Sequence, residues 1–273
     1  MTTTTTGTIP RSNVQAKPSG FFRDLFTVAG RALRSIPREP ETFIPGLFIP
    51  AFFFIVNVGA LQDLTESVPG AAGFNYREFQ LPTAIIFAVT GISRAPGLVT
   101  DIQSGYFDRL LLSPARRLPL LLGLMVADFA LVVLLCVPVI ILGLFLGVSF
   151  GTGFLGLLVF IAIGAFWGLA FTGFPYAIAL KTANPGAVAS SFILFFPFAF
   201  LTSSTVPLEN LTGWMRTIAR YNPITYVLEG MRSLFEDEWD FADIGKAFLA
   251  ILILGAISQT LALTALRGRL DRG

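Results

Sequence analysis

The feature that most constrains the fold is a series of long apolar stretches separated by short polar connections. Each stretch is close to the roughly 20 residues that an α-helix needs to cross a bilayer core of about 30 Å. Six such stretches occur, at residues 43–61, 81–100, 118–145, 154–180, 187–204 and 244–266. We therefore expect an all-α integral membrane protein with six transmembrane helices.

The composition agrees with a membrane protein and excludes several kinds of chemistry. Of the 273 residues, 54% are hydrophobic and 13% are charged, whereas a soluble domain carries about 25% charged residues. The chain has no His and a single Cys, Cys136. Histidine metal sites, cysteine clusters, disulfides and Ser-His-Asp triads are therefore not expected, and no metal ligand is predicted.

The distribution of Lys and Arg predicts the orientation in the membrane. Positive charges gather before the first stretch, in the connection after the second and at the C-terminal end. The 146–153 connection carries no charge, and the 205–243 connection contains an acidic cluster. Because cytoplasmic loops are enriched in Lys and Arg, we expect a multi-pass protein of a bacterial cell membrane, the inner or plasma membrane, with both termini cytoplasmic.

The N-terminal region divides into two parts ahead of the domain formed by residues 43–273. Residues 1–20 are Thr-rich and polar, which predicts a disordered cytoplasmic tail without the apolar core of a secretory signal. Residues 21–42 are expected to contain an amphipathic helix lying in the cytoplasmic interface; an ordinary cytosolic lead-in is the alternative. Its apolar stripe has helical spacing and consists of Phe22, Leu25, Phe26, Ala29 and Leu33.

The connection at residues 101–118 combines charge with an apolar helical face. Phe107, Leu110, Leu111 and Pro114 follow the spacing i, i+3, i+4 and i+7. A short exposed helix of this kind needs either the lipid surface or a protein partner to cover its apolar side. The residues alone leave both possibilities open.

The connection at residues 205–243 is predicted to contain two short helices that dip into the outer leaflet. Asn222 is suited to cap a helix that starts at Pro223. Glu229 and Arg232 are three positions apart on that helix, so they can pair and hold the turn together. Substrate binding by these two residues is the alternative interpretation.

Two ionisable residues lie within the predicted spans. Arg94 and Asp128 fall at similar depths in the second and third apolar stretches, as judged from a rise of about 1.5 Å per residue. Charged groups inside membranes commonly mark functional positions. The sequence predicts either an ion pair that joins two helices or two groups that line a substrate path.

Two segments resemble motifs of the type-2 ABC exporter permeases. Residues 104–123 (SGYFDRLLLSPARRLPLLLG) are similar to the cytoplasmic loop between spans two and three of that family. Residues 222–232 (NPITYVLEGMR) resemble its signature before the last span. The resemblance covers about residues 21–269 and is closest to the daunorubicin-resistance-type drug permeases.

The resemblance implies specific partners and roles. The loop helix would be a coupling helix that docks on a cytoplasmic ABC ATPase through Phe107, Asp108, Arg109, Leu110, Leu111, Ser113 and Pro114. The outer signature would comprise Asn222, Pro223, Tyr226, Glu229 and Arg232. A second permease subunit, identical or different, would complete the transporter, with membrane lipid around it and no nucleic acid involved.

The expected function is that of a transmembrane subunit rather than an enzyme. No Gly-x-x-x-x-Gly-Lys-Ser/Thr run for binding phosphates occurs in the sequence, so ATP and Mg²⁺ would be bound by the partner ATPase and no cofactor by this chain. The resemblance implies export of a hydrophobic or amphipathic substrate, such as a drug, an antibiotic or a lipid-like molecule. Export of a lipid-linked glycan or polysaccharide is the alternative.

Overall fold

The structure, a computed structural model, describes residues 20–35, 40–66, 74–107, 109 and 117–270. These residues form ten α-helices and no strand, which confirms the all-α prediction. In chain order, the helices are α1 (Phe21–Ser35), α2 (Pro40–Glu66), α3 (Tyr76–Thr90), α4 (Ala95–Gln103), α5 (Arg117–Phe145), α6 (Gly153–Thr182), α7 (Pro185–Phe200), α8 (Gly213–Tyr221), α9 (Pro223–Arg232) and α10 (Phe241–Leu270).

Within the described part of the chain, five segments are long and apolar enough to cross a membrane. They lie in α2, α3 with α4, α5, α6 and α10. The predicted stretch at residues 187–204 differs, because its helix, α7, has only 16 residues. At about 1.5 Å per residue it is about 24 Å long, which is short of a bilayer core of about 30 Å. Residues 201–204 continue without helical structure.

The tight turn between α6 and α7 follows from local sequence. Ala183 ends α6 in the left-handed conformation, with φ of 47°. The Asn184 side chain then accepts hydrogen bonds from the N–H groups of Gly186 (2.8 Å) and Ala187 (3.3 Å), and Pro185 occupies the first turn of α7. A capping Asn followed by Pro is a strong helix start signal.

Helices α6 and α10 pack against each other along an extensive interface. The Ser258 hydroxyl of α10 donates to the Ala170 carbonyl of α6, and the Gln259 amide donates to the Leu169 carbonyl at 2.9 Å. Gly173 allows this approach, because a Cβ atom there would overlap the backbone of Ser258. Small residues at such crossings let the backbones of membrane helices come together.

The amphipathic segment predicted for residues 21–42 contains α1, which ends at Ser35. Ala29 and Ala32 are buried, and Val28 lies against α5 at Gly123. Phe26, by contrast, is 65% exposed. The helix therefore packs on the bundle with one face. Its position in the interface stays a prediction, and residues 1–19 lie outside the described residues.

The bundle has two ends that differ in charge and in structure. The basic end carries α1 together with the ends of α4, α6 and α10, near Gln103, Lys181 and Arg267. The opposite end carries residues 146–152 and the short helices α8 and α9. The two parts of the opposite end are joined, because the Thr152 hydroxyl donates to the Leu234 carbonyl at 2.6 Å.

Candidate functional site

The predicted second span is not one helix, and this corrects the sequence interpretation. Helix α3 ends at Thr90, and α4 starts at Ala95 after four non-helical residues. Pro96 lies in the first turn of α4. Proline has no N–H group to donate to the preceding turn, so it is tolerated in the first turn of a helix and not in the interior. The break is therefore encoded at the position where Pro96 opens a new helix.

The carboxylate of Asp128 on α5 closes this break. One oxygen accepts a hydrogen bond from the main-chain N–H of Arg94 (2.8 Å), and the other accepts one from the Tyr176 hydroxyl of α6 (2.6 Å). Asp128 is 1% exposed. A negative group at the start of α4 is favoured by the helix dipole and satisfies a donor that an interrupted helix leaves without a partner.

The structure brings the two ionisable residues of the predicted spans, Arg94 and Asp128, together, as the sequence allowed. One hydrogen bond between them uses the main-chain N–H of Arg94, and Asp128 also holds a third helix through Tyr176. The cluster therefore joins α4, α5 and α6 in the middle of the bundle. A role in lining a substrate path stays a prediction.

A second contact fixes the helix on the other side of the break. The Trp167 indole N–H of α6 donates to the Thr90 hydroxyl at 2.8 Å, and that hydroxyl donates to the Ile86 carbonyl at 2.6 Å. Both side chains are buried. Helix α6 consequently holds α3 through Trp167 and α4 through Tyr176, one on each side of the interruption.

Helix α4 leads directly into the predicted coupling segment. Gly105 has φ of 69°, a conformation that favours glycine, and its carbonyl accepts the N–H of Arg109 at 3.2 Å. Arg31 of α1 forms an ion pair with Asp101 (2.7 Å) and stacks over the Tyr106 ring at 4.8 Å. The start of the loop is thus tied to the amphipathic helix.

Two members of the predicted coupling surface lie within the described residues. Phe107 is 3% exposed and packs in the apolar cluster at the basic end. Arg109 is exposed. The other predicted contact residues lie outside the described residues: Asp108, Leu110, Leu111, Ser113 and Pro114. Their role stays a prediction.

The outer signature forms a joint between short helices. The Asn222 side chain accepts the Ile224 N–H (3.0 Å), and its amide donates to the carbonyls of Phe198 (2.7 Å) and Leu201 (3.0 Å). It therefore caps the start of α9 and the end of α7 together, and the predicted N-cap is confirmed. Pro223 occupies the first turn of α9.

Tyr226 and Arg232 extend this joint. The Tyr226 hydroxyl donates to the Arg220 carbonyl at 2.7 Å, which closes α8 onto α9. The Arg232 guanidinium donates to the carbonyls of Ser203 (2.8 Å) and Phe79 (3.0 Å), and it lies 3.6 Å from the centre of the Phe79 ring. Arg232 thus joins α9 to α3 and to the non-helical segment after α7.

The predicted pairing of Arg232 with Glu229 is replaced by these contacts. The hydrogen bonds of the guanidinium go to α3 and to Ser203, and the influence of Glu229 is electrostatic. Burial lowers the pKa of Arg232 to about 9, against the opposing effect of Glu229, so the group keeps its charge at neutral pH. Burial also raises the pKa of the Glu229 carboxyl, which Arg232 partly offsets.

Sequence reasoning missed Tyr176 and Ser203, which complete the two clusters. Neither residue belongs to a recognisable motif, because their roles depend on how distant helices pack. Among the described residues, no group of three or more Cys, Asp or Glu side chains is arranged to hold a metal ion. In each cluster one charged side chain, Asp128 or Arg232, binds main-chain atoms of another helix, an arrangement suited to positioning helices.

Comparison with known proteins decides the family. Residues 23–235 match the ABC-2 type transporter family. This chain is an ABC-2 type transporter permease. The match includes the broken span, the predicted coupling segment and residues Asn222–Arg232. The Asp128 and Arg232 clusters therefore lie within the family domain.

Several curated proteins are similar to this ABC-2 permease at low identity. The daunorubicin resistance ABC transporter permease protein DrrB1 of Streptomyces coeruleorubidus is 26% identical over 246 residues, which cover 88% of this chain and 84% of that protein. The putative transport permease ycf38 of Cyanophora paradoxa is 25% identical over 256 residues, 87% of each chain. The probable doxorubicin resistance permease DrrC of Mycobacterium tuberculosis is 25% identical over 213 residues, 78% of this chain and 76% of its own.

Proposed function

We propose that this permease is the transmembrane subunit of an ATP-driven exporter that moves hydrophobic or amphipathic molecules, of the drug or antibiotic type, out of the cell. The observation that carries the proposal is the family match over residues 23–235, together with relatives named as daunorubicin and doxorubicin resistance permeases. A separate ABC ATPase supplies the energy, since no phosphate-binding loop occurs in the sequence. Two permease subunits form the transport unit.

The decisive experiment is transport by a reconstituted complex. The chain is co-expressed with an ABC ATPase encoded beside it, and proteoliposomes are loaded with daunorubicin as the probe. We expect ATP-dependent movement of the probe across the membrane, away from the side that carries the ATPase. This movement should stop when the catalytic Glu of the ATPase is replaced by Gln. Movement that continues with the inactive ATPase, or ATP hydrolysis by the isolated permease, would contradict the proposal.

Docking of the ATPase is tested at the coupling segment. Burying a Leu side chain in a partner pocket contributes about 1.5–3 kcal/mol, so Leu110→Asp and Leu111→Asp should lose the ATPase during co-purification while the protein still inserts. Arg109→Ala is the matched mild change, because exposed ion pairs contribute at most about 1 kcal/mol. If Leu111→Asp retains both the ATPase and transport, the segment is only a charged surface loop.

The proposed orientation places the basic end in the cytoplasm. In a Cys136→Ala background, a membrane-impermeant thiol reagent added to cells should label Glu238→Cys at the opposite end. It should not label Arg267→Cys at the basic end, because the positive-inside rule assigns that end to the cytoplasm. The reverse labelling pattern would overturn the orientation.

A further inference from the structure

A cavity of about 330 Å³ lies between α6, α7 and the start of α9. Five aromatic rings dominate its wall: Trp167, Phe171, Phe174, Phe195 and Phe198. Its volume lies at the lower end of the range for small-molecule sites, which is about 300–1,000 Å³. It is large enough for part of a drug-sized molecule.

The polar groups in the wall are already occupied. The Trp167 N–H donates to Thr90, and the Ser191 hydroxyl donates to the Val188 carbonyl at 2.6 Å. The Asn222 amide donates to two carbonyls at the end of α7. A charged ligand would lose its hydration here without compensation. The cavity therefore suits an uncharged apolar group.

The ring geometry favours an aromatic group over a plain hydrocarbon chain. The Phe171 ring lies 5.3 Å from the Phe195 ring at 72° and 5.4 Å from the Phe174 ring at 59°. Rings tilted in this way present both edges and faces to the space between them, and these are the arrangements that aromatic pairs prefer. A planar ring system can meet several of them at once.

The position of the cavity indicates how a ligand would reach it. Phe198 is 63% exposed on the surface of α7, so one rim of the cavity opens at the side of the bundle. Toward the opposite end, Asn222 and Ile224 are buried and close the cavity with the first turn of α9. The cavity is therefore open sideways and covered by the joint at α9.

We propose that this cavity binds the uncharged aromatic part of the exported molecule, taken up sideways from the bilayer. The proposal rests on the export function proposed above and assigns a binding site to it. The start of α9 covers the site, so release toward the opposite end requires the α7–α9 joint to move.

Binding is measured directly with Trp167. The chain contains three Trp residues, so the double variant Trp214→Phe, Trp239→Phe leaves Trp167 as the single Trp of this chain. In the complete complex with its ATPase, held in nanodiscs, the emission of Trp167 is the part that a further Trp167→Phe change removes. Titration with the uncharged aromatic probe 1-aminoanthracene should quench Trp167 emission saturably. Nanodiscs of acyl-brominated phosphatidylcholine form the second arm, which reports lipid chains in the cavity.

Two neighbouring serines provide a matched pair of variants. Ser191 is buried in the wall, whereas Ser190 is exposed and donates to its own helix at the Gly186 carbonyl (2.9 Å). Ser191→Phe fills the cavity and should weaken probe binding and export by about tenfold or more, whereas Ser190→Phe should leave both unchanged. Ser191→Val and Ser191→Leu give graded filling, so the trend remains measurable if the largest side chain impairs folding.

The outcomes separate the two proposals. Unsaturable probe quenching, or equal binding and export in Ser191→Phe and wild type, overturns the cavity site. A third result also overturns it: brominated lipid quenches Trp167, Ser191→Phe abolishes this quenching, and 1-aminoanthracene does not bind. The occupant of the cavity is then an acyl chain. Saturable probe binding that is sensitive to Ser191, combined with no ATP-driven export by the wild-type complex, contradicts the export function and leaves the cavity as an aromatic binding site.

Discussion

The main-chain N–H of Arg94 donates to the carboxylate of Asp128 at 2.8 Å, across the interruption between α3 and α4. A side chain of one membrane helix thus supplies the partner that a broken helix lacks. This matters for coupling, because α4 continues directly into the segment expected to contact the ATPase. Helix α4 therefore connects that segment with the Asp128 cluster.

Substitutions at Asp128 should separate geometry from charge. Asp128→Ala removes the acceptor of two buried hydrogen bonds, those from the Arg94 N–H and the Tyr176 hydroxyl, at a cost of about 2–6 kcal/mol. Asp128→Asn keeps an oxygen for Arg94 and should cost less than half of that. The midpoint of thermal unfolding can be followed with a thiol-reactive dye. Cys136, the single Cys, is buried, so the dye reacts with it only after unfolding. Equal midpoints for the Ala and Asn variants would refute the capping role.

Arg232 should not tolerate Lys. Its planar guanidinium reaches the carbonyls of Ser203 and Phe79 and stacks on the Phe79 ring, a geometry that an ammonium group does not reproduce. We expect Arg232→Lys to lower stability by about 1–3 kcal/mol in the same dye assay. Arg216→Lys, on the exposed part of α8, is the control and should change nothing.

Asn222→Asp tests the double cap. Aspartate keeps the oxygen that caps α9 but loses the amide donor to Phe198 and Leu201, and it places a negative charge beside those carbonyls. We expect a loss larger than the roughly 1 kcal/mol of an ordinary N-cap substitution. Asn184→Asp is the comparison, since Asn184 caps only its own helix. Similar effects at both positions would show that the contact with α7 contributes little.

Glu229 gives a prediction for pH dependence. Its pKa is raised in the folded protein, mainly by burial, so its contribution to stability is fully present below the ordinary carboxyl pKa and is lost as pH rises through the folded value. Glu229→Gln should therefore match wild type near pH 4 and unfold at a higher temperature near pH 8. Glu238→Gln, at an exposed position and not among the charges that act on Glu229, should follow wild type at both values. A wild-type-like profile for Glu229→Gln would argue against the raised pKa.

Gly173→Ala should separate α6 from α10. The added methyl group meets the backbone of Ser258, which cannot turn aside as a side chain can. Overpacking of this kind costs about 1–3 kcal/mol. Gly59→Ala, where no atom lies within 4 Å of the new Cβ, is the control. Equal unfolding midpoints for the two variants would mean that the helices can move apart freely.

The sequence predicted what depends on local pattern. Apolar length identified the long helices, and the Asn222-Pro223 pair predicted the start of α9, because capping acts over only a few residues. The break before α4 also had a local signal in Pro96, but the continuous hydrophobicity of residues 81–100 outweighed it. The roles of Tyr176 and Ser203, and the burial of Phe107, depend on contacts between distant segments, which periodicity does not encode.

The junction at Asn222 also bears on how the chain is made. The carbonyls at the end of α7 receive a donor that is synthesised 21 residues after Leu201. In hydrocarbon, a carbonyl without a donor is strongly disfavoured, so this end of α7 must stay near water, at the bilayer surface or inside the translocon, until residue 222 has emerged. The end of α7 is therefore complete only once α9 has been synthesised, and the two helices depend on each other for their final placement.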